Sequence, residues 1–208
     1  MTYQINVHKT NASRLPETDL ENIVFGKIFS DHMLVADYYD GDWQDIQIMP
    51  FQNLSLSPAT TALHYGQEVF EGMKAYKDKD HLPVLFRPEQ NWKRINKSAH
   101  RMSMPQIPRE VFMGGLRQLI SLDKDWIPTT EGSSLYIRPF MFANDEYLGV
   151  KASGSYKFII FLSPVNAYYP EPIKVKVDQQ FARAVKGGVG YAKAAGNYGA
   201  SLYPARLG

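Results

Sequence analysis

A strong β-hairpin signal is the feature that most constrains the fold. The stretch "HMLVADYYDGDWQDIQIMP", residues 32–50, has β-rich runs on both sides of Asp40-Gly41-Asp42. An Asp-Gly pair between two such runs is typical of a tight turn, because these residues accept the backbone conformations that the turn needs. A second hairpin is predicted from "GMKAYK", the turn "DKDH" and "LPVLFRP". The first half of the chain therefore predicts an antiparallel sheet.

Helical and extended patterns then alternate irregularly. Apolar residues recur at helical spacing from Trp92 to Met102 and again from Val111 to Ile120, which predicts two amphipathic helices. The segments "SSLYIRPFMFA" and "YKFIIFLSPV" predict two further strands, and Pro164 stops the apolar run "FIIFL" of the second. Because strands and helices mix without strict βαβ alternation, the fold class is predicted to be α+β.

The composition changes after the last of these strands. "NAYYPEPIKVKV" contains Pro170 and Pro172 and predicts a connector, and the stretch beyond it is rich in Gly and Ala. We therefore expect a small α+β domain over residues 1–165, a linker over 166–175 and, over 176–208, the start of a second domain that is cut short. The first 20 residues lack periodicity and are expected to wrap a surface or a partner.

Composition excludes several classes of function. The 208 residues are 44% hydrophobic, which is ample for a packed core, and 23 basic against 21 acidic residues provide no field to collect nucleic acid or membrane. The absence of cysteine excludes disulfides and thiolate metal sites, and His64 and His100 belong to no spaced ligand cluster. With a polar start and no apolar run longer than "FIIFL", the expected location is the cytoplasm.

One lysine has unusual neighbours. Lys193, in "VGYAKAAGNYGASLY", lies among small, uncharged and aromatic residues. The flanking alanines would let it be enclosed, and desolvation lowers the pKa of an amine, so that the neutral nucleophile needed for Schiff-base chemistry exists at working pH. The alternative is a lysine on the solvated face of an Ala-rich helix or loop, where most lysines lie. The local pattern leaves both open.

The wider sequence resembles a known family. "RAVKGGVGYAKAAGNYGASLY" resembles the cofactor-lysine segment of the branched-chain amino acid aminotransferases, which are fold-type IV pyridoxal-phosphate enzymes. Four further stretches resemble other signatures of that family in the same order: "VFGKIFSDHML", "LHYGQEVFEGMKAY", "LFRPEQNWKRINKSAHRM" and "SLYIRP". The resemblance covers nearly the whole chain from Ile23. It implies reversible amino transfer between leucine, isoleucine or valine and 2-oxoglutarate, with pyridoxal 5'-phosphate as the cofactor.

The resemblance also implies roles at the cofactor. Lys193 would form the covalent bond with pyridoxal phosphate and then carry protons as general acid and base. Tyr198 would hydrogen-bond the phenolic oxygen of the cofactor, and Arg94 would grip the phosphate. Without the family, Tyr198 would be taken as a core aromatic and Arg94 as a solvated helix arginine.

The same resemblance assigns the substrate side. Phe25, Phe70 and Tyr136 match aromatic positions of the substrate pocket, and Arg138 matches an arginine beside it. Tyr65 matches a tyrosine that reaches into the site of the neighbouring subunit, which implies a homodimer with shared sites. The expected ligands are small amino acids and 2-oxo acids.

Two alternatives stay open. Another fold-type IV activity, such as D-amino acid transamination or aminodeoxychorismate lysis, would use the same scaffold. A non-catalytic short paralogue would keep the small domain as a dimerisation module. Family members continue beyond the length of this chain and there supply the acid that pairs with the pyridine nitrogen, so we expect the sequence to be a fragment of an active enzyme.

Overall fold

An eight-stranded sheet forms the centre of the protein. The computed structural model describes residues 3–166, 172–175 and 177–207. Its strands are β1 Asn6–Val7, β2 His32–Tyr39, β3 Asp42–Pro50, β4 Glu68–Phe70, β5 Met73–Lys77, β6 Pro83–Leu85, β7 Ser134–Ala143 and β8 Tyr156–Val165. The α-helices are α1 Thr61–Tyr65, α2 Pro88–Arg101, α3 Gly115–Leu122, α4 Gly196–Gly199 and α5 Leu202–Arg206. Shorter helical turns are Leu15–Glu17, Glu110–Gly114 and Lys124–Trp126.

The strand order is β1-β3-β2-β8-β7-β5-β6, and β4 pairs with β7 off this path. Only the short β1 contact with β3 is parallel among the described pairs. Both predicted hairpins are confirmed as β2–β3 and β5–β6. Asp40 and Gly41 both have positive φ, the conformation that a two-residue hairpin turn requires. The observed strands and helices confirm the predicted α+β architecture.

One face of the sheet carries the main core. It packs against α2 and the helical segment 110–122, and their apolar residues form one cluster with β7 and β8. The second predicted helix is present, but its first turn is a π-helix over Glu110–Gly114. Gly115 then allows a close approach to β2, since a Cβ there would lie 2.6 Å from Leu34 Cδ2. A larger residue would force this helix away from the sheet.

The predicted strand "YKFIIFLSPV" is confirmed as β8, with Pro164 inside it. β8 continues to Val165, and Pro164 is paired with Leu135 of β7. On the other side of β8, the ladder with β2 extends only from Tyr156 to Phe161. Pro164 therefore lies beyond the stretch that is paired on both sides, where a missing N–H group is tolerated.

The aperiodic N-terminal arm wraps the sheet of its own chain. The Thr10 N–H group donates to His32 Nε2 at 2.9 Å, and the Arg14 N–H group donates to Asp31 at 2.9 Å. His32 is itself fixed by Asp123, at 2.6 Å from its Nδ1. Because both His32 and Asp123 are buried, these bonds attach the arm to the core rather than to a mobile surface.

The predicted domain boundary stays a prediction. Residues 167–171 of the expected linker 166–175 lie outside the described residues. Along the described ranges, no helix has the length and apolar character needed to cross a membrane.

Asp145 organises the connection between β7 and β8. Its carboxylate accepts hydrogen bonds from the Gly154 N–H group at 2.9 Å and from the N–H and hydroxyl groups of Ser155 at 3.0 and 2.7 Å. Burial raises its pKa, but these donors outweigh burial and lower the pKa from 3.8 to about 2. The ionised carboxylate therefore stabilises the fold above pH 3.8, and this contribution is lost as the pH falls towards 2.

We predict that Asp145→Asn lowers the free energy of unfolding by about 2 kcal/mol at pH 7, and that the difference from the unmodified chain closes between about pH 4 and pH 2. Urea unfolding at a series of pH values measures this. Asp125→Asn, at an exposed position, is the control and should have little effect. An equal loss at pH 7 and pH 2 would show that the carboxylate charge is not the cause.

Candidate active site

A cavity of about 500 Å³ brings most of the predicted site residues together. It lies where β4, β5 and β7 meet the segment around Lys193. Its walls comprise Phe25, Phe70, Lys74, Tyr136, Arg138, Val165, Asn166, Lys193 and Tyr198. Six of the eight predicted residues therefore share one cavity, although up to 173 positions separate them in sequence (198 minus 25).

Backbone pairing with β4 positions Lys193. The Phe70 N–H group donates to the Lys193 carbonyl at 3.0 Å, and the Ala195 N–H group donates to the Glu68 carbonyl at 3.1 Å. The Lys193 N–H group donates to the hydroxyl of Ser98, a buried residue of α2, at 2.9 Å. The extended backbone of Lys193 is thus held on both sides.

The alternation of an extended segment explains the alanines. Ala192 and Ala194 are buried, at 3% and 2% exposed, whereas the side chain of Lys193 between them lines the cavity. Larger residues would not fit this close packing. The lysine itself is half-buried, which lies between the enclosed and the solvated position that the sequence left open.

Lys193 and Tyr198 are in direct contact. Lys193 Nζ donates to the Tyr198 hydroxyl oxygen at 2.7 Å. The same atom is 4.4 Å from the centre of the Phe70 ring and 4.9 Å from the centre of the Tyr198 ring. Ring faces attract a cation at this distance, so the amine is held between two aromatic walls.

The substrate side is a patch of aromatic and cationic groups. Tyr136 and Arg138 are two positions apart on β7 and therefore share a face. Arg138 Nη2 donates to the Tyr136 hydroxyl at 2.9 Å, and its guanidinium lies 4.7 Å from the centre of the Phe70 ring. Phe25 packs edge-on against Tyr136 with ring centres 5.7 Å apart. This patch can contact both an aliphatic side chain and a carboxylate.

Arg94 lies beside this cavity. It lines an adjoining groove of about 550 Å³ with a basic wall, which also includes Phe86, Arg87, Gln90, Asn91, Lys93 and Lys97. Arg94 Nη2 donates at 2.7 Å to Glu71, which directly follows Phe70 of the cavity wall. Such a groove fits a phosphate next to the lysine cavity.

Tyr65, like Arg94, is a predicted site residue that does not line the lysine cavity. It is exposed in α1, and its hydroxyl donates to the Leu148 carbonyl oxygen. It does not line the lysine cavity of its own chain. In the described ranges, no group of three or more His, Asp or Glu side chains could hold a metal ion.

Sequence reasoning missed several residues of the site. Lys74 lines the cavity and is paired in register with Tyr136. The alternation of side chains along the strand that follows "FEG" could have identified it. Asn197 is buried and donates to the Val189 and Ala192 carbonyls at 3.0 and 2.8 Å, which folds the lysine segment back on itself. Glu68 shares a face of β4 with Phe70, and Glu71 bonds Arg94. No local pattern in the sequence signals the pairing of Glu71 with Arg94.

The sequence of this chain is closely similar to those of known enzymes. It is 50% identical over 206 residues to branched-chain-amino-acid aminotransferase 2 of Bacillus subtilis, and the match covers 97% of this chain and 57% of that protein. Over nearly its whole length, the chain is similar to branched-chain-amino-acid aminotransferases. It spans little more than half the length of the curated relatives that it matches. No family model matches it.

Solved structures of aminotransferases have the same fold. The branched-chain amino acid aminotransferase of Escherichia coli matches with a TM-score of 0.55 and 25% identity, over 83% of this chain and 54% of that one. An aminotransferase of Brucella abortus, solved with its cofactor PLP, matches with a TM-score of 0.55 and 20% identity, over 84% and 59%. The second likeness shows the fold alone. The predicted fold-type IV architecture is confirmed.

Glu68 places a half-buried carboxylate at the edge of this site. Burial raises its pKa above the ordinary 4.5, and the nearby Arg138 only partly opposes this. Ionised Glu68 therefore destabilises the folded chain. Because its pKa is raised on folding, this cost is absent below pH 4.5 and grows as the pH rises through the folded-state pKa.

We predict that Glu68→Gln raises the free energy of unfolding of this chain at pH 7 and that the gain disappears below pH 4.5. Chemical unfolding followed by circular dichroism at several pH values measures it. Glu131→Gln, in an exposed loop, is the matched control and should change little at any pH. A loss of stability at pH 7 would contradict this electrostatic account of Glu68.

Proposed function

We propose that the protein carrying this chain is a branched-chain-amino-acid aminotransferase. It would transfer amino groups reversibly between leucine, isoleucine or valine and 2-oxoglutarate, with pyridoxal 5'-phosphate. One observation carries the proposal: the Lys193 amine lies in a cavity, 2.7 Å from the Tyr198 hydroxyl, opposite a Tyr136–Arg138 pair. The 50% identity to a curated transaminase supports it.

The residues present fit the cofactor. A cavity of about 500 Å³ is in the range of small-molecule sites. The Lys193 amine is the group that bonds an aldehyde, the Tyr198 hydroxyl can donate to a phenolic oxygen, and Arg94 offers a charged fork to a phosphate. When bound, pyridoxal phosphate supplies an aldehyde carbon and an electron sink for negative charge at the substrate Cα.

Lys193 would act twice. It first holds the cofactor covalently, and once displaced by the substrate amine it takes and returns the proton at the substrate Cα. The bond to Tyr198 and the rings of Phe70 and Tyr198 restrict the position of the free amine. A base that is already oriented needs no reorganisation at the moment of proton transfer.

The aromatic and cationic part of the cavity wall suits both substrates. The rings of Phe25, Phe70 and Tyr136 provide apolar surface for an aliphatic side chain. Arg138 and the Tyr136 hydroxyl provide hydrogen-bond donors for a carboxylate of 2-oxoglutarate. We propose that the two substrate classes use different parts of this one wall.

The alternatives differ in substrate. A D-amino acid aminotransferase or an aminodeoxychorismate lyase would use the same lysine. In a panel of donors, leucine with 2-oxoglutarate should react fast, and D-alanine and aminodeoxychorismate should be inert. A non-catalytic dimerisation module has no need of a lysine bonded to a tyrosine inside a cavity, so the site geometry favours an enzyme.

We also propose a homodimer in the cytoplasm. Tyr65 is exposed and outside the cavity of its own chain, which supports a role at a neighbouring site. Biosynthesis or degradation of branched-chain amino acids would both use this reversible reaction.

We predict that titration with pyridoxal phosphate produces the absorbance band of a protonated imine, and that Lys193→Ala abolishes it because this variant removes the amine that lies 2.7 Å from the Tyr198 hydroxyl. The experiment uses the protein as its gene encodes it. Lys186→Ala, an exposed lysine seven positions away, is the control and should keep the band. A band that persists in Lys193→Ala and is lost in Lys186→Ala would refute the assignment.

A further inference from the structure

Glu71 is a fully buried carboxylate directly beside the site. It follows Phe70 of β4 and is 0% exposed. Burying a charged group is costly unless it is paired and hydrogen-bonded. Glu71 is not part of the cavity wall, so its burial calls for a role through another residue.

The partners of Glu71 are fully defined. Arg94 Nε donates to Oε1 at 2.5 Å and Arg94 Nη2 donates to Oε2 at 2.7 Å, a two-point grip. Asn91 Nδ2 and the Gly72 N–H group also donate to Oε2, at 2.9 and 3.2 Å. Both oxygens are therefore occupied, and the carboxylate cannot turn away from the arginine.

Arg94 faces outward from this grip. Its side chain is 55% exposed, and it lines the basic groove next to the lysine cavity. Since Glu71 occupies the Nε and Nη2 edge, the Nη1 side of the planar guanidinium is directed away from the carboxylate. Arg94 is thus fixed at one edge and open at the other.

We propose that Glu71 is a positioning residue that presets Arg94 to receive the phosphate of the cofactor. The inference rests on the proposed function and deepens it. A free arginine loses much rotamer freedom when it binds a ligand, and an arginine that is already held loses little. Glu71 would therefore increase affinity for the phosphate by preorganisation, although its own charge repels a phosphate.

This sets two physical effects against each other. If the net charge of the groove governed phosphate binding, neutralising Glu71 would strengthen binding, because Arg87, Lys93 and Lys97 would act without an opposing carboxylate. If the orientation of Arg94 governs it, neutralising Glu71 weakens binding. The sign of the change therefore separates the two explanations.

The test compares two forms of the cofactor in the protein as its gene encodes it. For Glu71→Gln we expect the Kd of pyridoxal phosphate to rise about tenfold or more, as for other residues that orient a ligand-binding group. The Kd of pyridoxal, which lacks the phosphate, should change by less than about twofold, because Glu71 acts only through Arg94. Cofactor binding is followed by absorbance, independently of turnover.

Two further variants complete the test. Glu89→Gln breaks an exposed ion pair with Arg109 and is the matched control, with no change expected for either cofactor form. Asn91→Ala removes one donor to Glu71 and leaves its charge. Asn91→Ala should weaken pyridoxal phosphate binding less than Glu71→Gln does, again without affecting the binding of pyridoxal. If Glu71→Gln fails to fold, Asn91→Ala replaces it as the test of the inference.

The outcomes are distinct. Equal losses for both cofactor forms would overturn the inference in favour of a general structural role. Tighter binding of pyridoxal phosphate by Glu71→Gln would overturn it in favour of net charge. If the unmodified protein bound neither form at Lys193, the proposed function would fail, and this inference with it.

Discussion

Two backbone hydrogen bonds to β4 support the rest of the site. β4 hydrogen-bonds to β7 along one edge and to residues 193–195 along the other. The register of this second pairing decides which side chain faces the cavity, because neighbours in an extended segment alternate. A shift by one residue would direct Ala194 into the cavity and Lys193 into the packed interface. The chemistry of the lysine therefore depends on a main-chain contact.

The three residues that follow Val69 connect the parts of the site. Phe70 forms a wall beside the Lys193 amine and the Arg138 guanidinium. Glu71 holds Arg94, and Gly72 leaves room for Tyr136, since a Cβ at Gly72 would lie 2.4 Å from the Tyr136 hydroxyl oxygen. One short strand end thus touches the groups proposed for the amine, the phosphate and the carboxylate.

Local patterns predicted the parts of the fold that local physics determines. The hairpin at Asp40-Gly41 and the helix after Pro88 have turn and helix-start signals that act within a few residues. Lys193 was singled out by its neighbours, and its role came from the family resemblance. The two-point pairing of Glu71 with Arg94 spans 23 positions and has no local signal. The tolerance of Pro164 inside β8 has no local signal either, because it depends on where the neighbouring ladder with β2 stops.

The most direct test of this account is the chemical identity of the lysine that binds the cofactor. The protein would be incubated with pyridoxal phosphate and reduced with borohydride, and the added mass would be located by peptide mapping. The account predicts a single adduct on Lys193, with exposed lysines such as Lys186 unmodified. Labelling spread over surface lysines, with none enriched at Lys193, would contradict it.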